Sequence, residues 1–303
     1  MQTKGWWRLK LSINQNLEDL IIWQLNQLDI FSYAFNYQTN KSEIWRLFVW
    51  LPENHWKKVD RDFLENKLVS VLIKNGYKKA SVLWDFIPEE NWLNSWKKYW
   101  GPEIIGKNFL VLPCWMQLPK EFENKTILTI DPGAAFGTGN HPSTSLCLEA
   151  MENTSFNRKK VLDVGCGSGI LTIAACKLGA KVLHAIDNDY LARNSTEENF
   201  KINFDNLNSL TVFQGSFPDV IGNKYSKNYD VILCNILAEV IRGIIPDFYE
   251  ILAKNGFLIL SGILSTQKEE IIKILNLYHF KIDNVLSKKD WICIKASKEG
   301  FNN

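Results

Sequence analysis

A run of glycines, two acidic residues and one asparagine are the groups in this chain whose types and spacing could do chemistry together. The segment VLDVGCGSGILTIAACKLGAKVLHAIDNDY, Val161 to Tyr190, places Gly165, Gly167 and Gly169 after an apolar run that ends near Asp163. Glycine takes a positive φ and lets backbone approach a ligand closely, and the helix that follows presents unpaired N–H groups. A second apolar run, Lys181 to Ile186, ends in Asp187. A right-handed crossover would bring Gly165 and Asp187 side by side at the carboxyl edge of a parallel sheet, where a carboxylate accepts hydrogen bonds from both hydroxyls of a ribose. The next run of this kind, YDVILCNILAEV, delivers Asn235 to the same edge. An amide carbonyl there could orient an incoming amine, and an asparagine before a helix also serves as a turn or N-cap residue.

Two cofactor classes use such a site. Dinucleotide enzymes carry G-x-G-x-x-G, with a third glycine for close helix packing around a pyrophosphate. Here Ile170 fills the slot of that third glycine, and the G-x-G-x-G spacing resembles the class I methyltransferases, which bind S-adenosylmethionine. An ordinary tight turn between strand and helix also accounts for glycines, but the flanking strands and Asp187 add what a turn alone does not require.

The elements that must position these residues read as two domains. Ten of the twelve tryptophans fall at or before Trp100, and the glycine-rich segment lies after it. The first part reads as a strand at Trp6 to Ile13, a helix at Leu17 to Leu28, strands at Ile30 to Tyr37 and Ile44 to Leu51, a helix at Val59 to Asn75 and a strand at Ala80 to Phe86. That βαββαβ order is that of a small α+β ferredoxin-like domain, residues 1–87. In PEENWLNSWKKYWG, Pro88 to Gly101, Trp92, Trp96 and Trp100 recur every fourth position and predict a linker helix over residues 88–100 with one aromatic face. From residue 101 to 303, a short β region (Ile104 to Trp115, Thr126 to Ile130) leads to the loop DPGAAFGTGNHPSTS. Strands and helices then alternate, which predicts an α/β, Rossmann-like parallel sheet with helices on both faces. Two final strands, Phe280 to Leu286 and Trp291 to Ala296, are joined by the short turn Ser287 to Asp290 and must run antiparallel.

Composition removes several alternatives. Forty-six per cent hydrophobic and 22% charged residues suit a globular chain, and a net charge of +2 gives no bulk electrostatic reason for nucleic-acid or membrane binding. The six cysteines contain no C-x-x-C pair and read as reduced core thiols, with no metal site. No apolar run reaches about 18 residues, and MQTKGWWRLK lacks the apolar core of a signal peptide, so a cytoplasmic protein is expected. A monomer is the separate expectation for its assembly.

The strings DPGAAFGTGNHPSTSLCLE, VLDVGCGSGILTIAACKLGA, AIDND, CNILAEV and LILSGIL together resemble the bacterial methyltransferases of ribosomal large-subunit protein L-eleven (L11). The resemblance spans most of Asp131 to Leu264 in order, and the whole chain follows that family's two-domain plan. It implies S-adenosyl-L-methionine as cofactor, with contacts at Thr144, Gly165, Asp187 and Asn235. It also implies trimethylation of amines, lysine side chains and the N-terminal amine, on one protein substrate held by the first domain. Asn140 stands where many members of that family carry threonine, His141 reads as a loop or cap residue, and Phe136 as a residue shaping the loop. Other readings are a class I methyltransferase for another amine, amide or nucleic-acid base, and a binding module that keeps the fold without catalysis. A module of that kind is expected to lose the GTG of the loop or Asn235, and both are present.

Overall fold

The structure, a computed structural model, describes residues 5–13, 17–28, 30, 32–36, 45–77, 80–88, 100–131, 139, 141–217 and 228–298. The chain divides into two compact units, Met1–Gly101 and Pro102–Asn303.

In the first unit, strands β1 (Gly5–Ile13), β2 (Tyr33–Asn36), β3 (Trp45–Pro52) and β4 (Val82–Pro88) and helices α1 (Glu18–Asn26) and α2 (Lys58–Lys74) follow the order βαββαβ. The strands form one antiparallel sheet in the order β2-β3-β1-β4, the arrangement of a ferredoxin-like domain. Its core follows from periodicity. Leu9, Leu11 and Ile13 alternate along β1 and pack with Leu64, Leu68 and Leu72, four apart on α2, and with Ile21 and Leu25 on α1. Asp60 starts α2 by accepting the Lys57 N–H at 3.0 Å. The linker expected around Trp92 and Trp96 lies outside the described residues.

The second unit opens with a three-stranded sheet, β5 (Glu103–Ile105), β6 (Phe109–Pro113) and β7 (Thr126–Ile130), in which β6 and β7 run parallel. The single β region predicted for Ile104 to Trp115 is thus a hairpin, turned at Gly106 with φ +58°. The main sheet contains β8 (Lys160–Val164), β9 (Val182–Asp187), β10 (Leu210–Gln214), β11 (Tyr229–Asn235), β12 (Leu252–Leu264), β13 (Phe280–Lys288) and β14 (Trp291–Lys298), in the order β10-β9-β8-β11-β12-β14-β13. Helices α3 (Pro142–Glu152), α4 (Ile170–Lys177), α5 (Tyr190–Asn203), α6 (Ala238–Ile251) and α7 (Lys268–Leu277) accompany it. Both faces are covered, so neighbouring residues in a strand enter different cores. Val161, Val231 and Leu233 pack with α3 and α4, while Leu162, Val164, Ile232 and Cys234 pack with α6 and α7.

β14 is inserted between β12 and β13 and is antiparallel to both. The turn before it is tighter than the sequence suggests. Lys288 still pairs with Trp291, and Lys289, at φ +53°, makes a two-residue connection with Asp290. β12 extends beyond the predicted Phe257 to Ser261 at both ends, pairing with Tyr229 of β11 at Leu252 and with β14 out to Leu264. Of the cysteines, Cys147, Cys166, Cys234 and Cys293 are buried thiols, Cys176 is half-buried, and Cys114 is exposed, contrary to a purely core role.

Candidate active site

The register of three parallel strands assembles the site. Val164 of β8 lies opposite Ile186 of β9 on one side and Cys234 of β11 on the other. One residue further on, the three strands reach the carboxyl edge at Asp187, Gly165 and Asn235. Gln214 beside Asp187 and Ser261 beside Asn235 extend the row. Neighbouring strands are about 4.8 Å apart, so Asp187 and Asn235 stand on the order of 10 Å apart with the glycine turn between them. The strand order runs outward in opposite directions from β8 and β11, so the row straddles the topological switch point where open α/β sheets bind ligands.

Gly165, Gly167 and Gly169 all take left-handed φ, +74°, +54° and +79°. Side chains there would also collide: a Cβ at Gly165 would lie 2.2 Å from Ile236 Cγ2, and one at Gly169 would lie 2.9 Å from Thr196 Cγ2. The turn is tied to the acidic residue predicted to face it. Gly167 N–H donates to Asp187 Oδ2 at 3.0 Å, and Asp189 N–H donates to Oδ1 at 3.0 Å. Each carboxylate oxygen thereby has its direction set and keeps a lone pair, the arrangement that can accept a pair of vicinal hydroxyls.

The sequence reading missed the residues that fasten this turn from α5. Thr196 donates its hydroxyl to Gly167 O at 3.0 Å, and Asn199 Nδ2 donates to Ser168 O at 2.9 Å. Asn199 Oδ1 also accepts Asp131 N–H at 2.7 Å, and Asn203 Nδ2 donates to Thr129 O at 2.6 Å, joining the turn to the end of β7. Their signal was available: Thr196, Asn199 and Asn203 repeat at helical spacing on the inward face of α5, where apolar residues are expected.

Asp163 is fully buried in β8, one of its oxygens accepting the Thr172 hydroxyl at 2.6 Å. Burial pushes its carboxyl up to about 7; the Thr172 hydrogen bond opposes the shift and the nearby Asp187 charge adds to it. The other oxygen, Oδ1, is buried with no hydrogen-bond partner. An orphaned buried acceptor beside the glycine turn costs free energy unless a ligand donor meets it. At the sheet edge itself, the Asp187 carboxylate and the bare glycine turn make the site fit a ligand carrying a ribose diol.

On the other side of the row, Asn235 Nδ2 donates to Thr144 Oγ1 at 3.1 Å, joining two predicted site residues 91 positions apart. Thr144 is buried in the first turn of α3. With its nitrogen committed to Thr144, the Asn235 amide is oriented and its carbonyl oxygen is left as an acceptor. Asn235 is the last residue of β11 and Leu237 is the N-cap of α6, so the capping role open to Asn235 in sequence is not the one it plays. His141 is the N-cap of α3: its Nδ1 accepts Ser143 N–H at 3.3 Å, and its ring lies edge-on to Trp291 at 4.8 Å. Burial, assisted by the charge of Lys289, lowers its pKa to about 4, so it is neutral at pH 7. Phe136 and Asn140 lie outside the described residues.

The family model described as Ribosomal protein L11 methyltransferase (PrmA) matches residues 5–299. A Prochlorococcus marinus (strain MIT 9515) protein named Ribosomal protein L11 methyltransferase is 52% identical over 98% of this chain and 99% of its own. One of the same name from strain MIT 9313 is 36% identical over 97% of each chain. The crystal structure of a ribosomal protein L11 methylase from Lactobacillus delbrueckii subsp. bulgaricus superposes with a TM-score of 0.61 and 31% identity, covering 66% of this chain and all of that one. With a nearly full-length family match and close relatives of equal length, the chain belongs to the ribosomal protein L11 methyltransferase (PrmA) family.

Proposed function

We propose that this chain transfers methyl groups from S-adenosylmethionine to ribosomal protein L11, at lysine side chains and the N-terminal amine, through to trimethylated products. Family membership supports the methyltransferase activity and its substrate. The observation that carries the amine chemistry is the Asn235–Thr144 hydrogen bond, which leaves an oriented carbonyl acceptor at the switch point.

In this reading Asp187 accepts the ribose hydroxyls, Gly165 and its neighbours let the cofactor lie against the backbone, and Thr144 and Asn235 bound the methyl-donor end. The bound cofactor supplies an electrophilic methyl group on a sulfonium. The chain's own residues position the amine. In the first two transfers Asn235 Oδ1 accepts an N–H of the neutral amine, so its lone pair is directed away from the carbonyl; a dimethylated amine has no N–H left, and in the third transfer the site only confines it. Thr144 holds the amide against rotation. Such a displacement depends on alignment and needs no protein nucleophile. A free lysine amine titrates near 10.4, so the amine loses a proton to solvent before it attacks in each transfer. The first unit, with residues 1–87, supplies the surface that holds the protein substrate, and residues 88–100 link it to the transferase.

The test separates cofactor binding from transfer. Asn235→Ala should lower the single-turnover rate at saturating cofactor and L11 by about 100-fold while weakening cofactor affinity by less than about 5-fold. Equal losses in both would make Asn235 a cofactor-holding residue only.

A further inference from the structure

Gly262 of β12 has a conformation and a neighbour that a structural strand residue does not need. Ser261 and Gly262 together occupy a bulge opposite β14, between the pairs Leu260–Ile294 and Ile263–Ile292. Gly262 takes φ +80° there. A Cβ on it would lie 2.1 Å from the Ile236 carbonyl oxygen, 2.7 Å from the carbonyl carbon and 3.0 Å from the Ile236 nitrogen. These are backbone atoms, so no rotamer change relieves the contact. On its other side, Ile236 places Cγ2 2.2 Å from the position of a Gly165 Cβ. Ile236 is therefore gripped between two glycines, one in the turn after β8 and one in β12, and it is bonded directly to Asn235. Bulges re-aim neighbouring groups in this way next to functional sites.

We propose that Gly262 is a positioning residue for methyl transfer: its bare Cα lets the β12 bulge press on the Ile236 peptide and thereby sets where the Asn235 amide stands. The inference rests on the proposed role of Asn235 as acceptor for the amine. Among the described residues the Asn235 side chain has one hydrogen-bond partner, Thr144 on α3, so its location depends strongly on its own backbone. An alanine at 262 would push the Ile236 peptide, and Asn235 with it, away from β12. Asp187 and Gly167, two strands further along the row, would keep their contacts.

The experiment uses the full chain with Gly262→Ala. Gly179→Ala is the control, because Gly179 has φ +100° but meets Asn157 Cα at 3.3 Å, remote from Ile236. Three quantities are read: S-adenosylhomocysteine affinity by calorimetry, single-turnover methylation of L11, and the Asn235 side-chain amide signal by NMR, assigned by its loss in Asn235→Ala. Gly262→Ala is expected to lower the single-turnover rate by about 10-fold or more, change affinity by less than about 3-fold and shift the amide signal. Gly179→Ala is expected to do none of these. In an Asn235→Ala background, Gly262→Ala should cost less than about 2-fold further, because the two act as one unit. An unchanged rate with an unmoved amide signal overturns the proposal. So does a Gly262→Ala loss that persists undiminished without Asn235, or one seen while Asn235→Ala itself keeps full activity. If Gly262→Ala does not fold, Gly262→Asn sets the same Cβ against the Ile236 peptide on a residue that tolerates a left-handed φ better; it should lower the rate about 10-fold or more, again non-additively with Asn235→Ala. Full activity and an unmoved signal in that variant overturn the proposal. If the wild-type chain transfers no methyl group to L11, the functional reading fails separately, and the amide signal alone decides the positioning proposal.

Discussion

Replacing Asp187 by alanine tests the cofactor assignment at its most exposed point. The carboxylate holds Gly167 N–H and Asp189 N–H at 3.0 Å each, and under the proposed function it also accepts two ribose hydroxyls. Hydrogen bonds to a charged group contribute about 1.5–3 kcal/mol each when sheltered and less where water competes. Asp187 is only half-buried, so losing the ribose pair should cost roughly 2–4 kcal/mol of binding, or about 30- to 800-fold in Kd. The same truncation frees the two backbone N–H groups. Water can reach them at this edge, so the stability cost should stay near 1 kcal/mol and the fold should persist. Asp187→Asn separates the two effects: the amide oxygen still accepts one bond while its NH2 faces a donor, so affinity should fall between wild type and alanine. Calorimetry with S-adenosylmethionine and S-adenosylhomocysteine, beside a thermal melt of each variant, measures both terms. A folded Asp187→Ala chain with unchanged affinity would refute the ribose assignment.

Protonation of His141 should appear in the pH dependence of stability. The folded state keeps it neutral down to about 4 while the unfolded chain binds a proton near 6.5, so stability should fall as pH drops from 6.5 to 4, by about 3 kcal/mol in total. His141→Asn, which can still cap α3, should flatten that part of the profile in urea melts, and an unaltered slope would mean another group is responsible. Asn199→Ala should destabilise the second unit by about 2–3 kcal/mol, because it leaves Asp131 N–H and Ser168 O without their buried partner; a loss of under about 0.5 kcal/mol in urea melts would contradict this. A chain beginning at Trp100 should bind S-adenosylmethionine with nearly full affinity and methylate L11 poorly. Methylation at the rate of the intact chain would remove the recognition role from residues 1–87.

Local physics governs the features of this protein that are legible in its residues alone. Glycine spacing set the left-handed turn at Gly165 to Gly169, because only glycine takes three such φ values together at no steric cost. Near-continuous apolar runs set the strands and their termini at Asp187 and Asn235, and parallel βαβ connectivity then required those termini to share one edge. Long-range packing supplied what depends on partners distant in the chain. The hydrogen bond that makes Asn235 an oriented acceptor comes from Thr144, 91 residues earlier, and nothing in either local sequence announces it. Thr196 and Asn199 share the face of α5 that carries Ala192 and Phe200, so their inward placement was legible, but their partners on the glycine turn come only from packing. The insertion of β14 between β12 and β13 was equally out of reach, since a hairpin's two strands are antiparallel whichever of them pairs with the rest of the sheet. Gly262 is the clearest case: in LILSGIL it reads as a strand glycine, and its closeness to Ile236 arises only when β11 and β12 lie side by side. Local sequence dictates conformations and periodicities, whereas contacts across the sheet edge depend on where the whole chain has been packed.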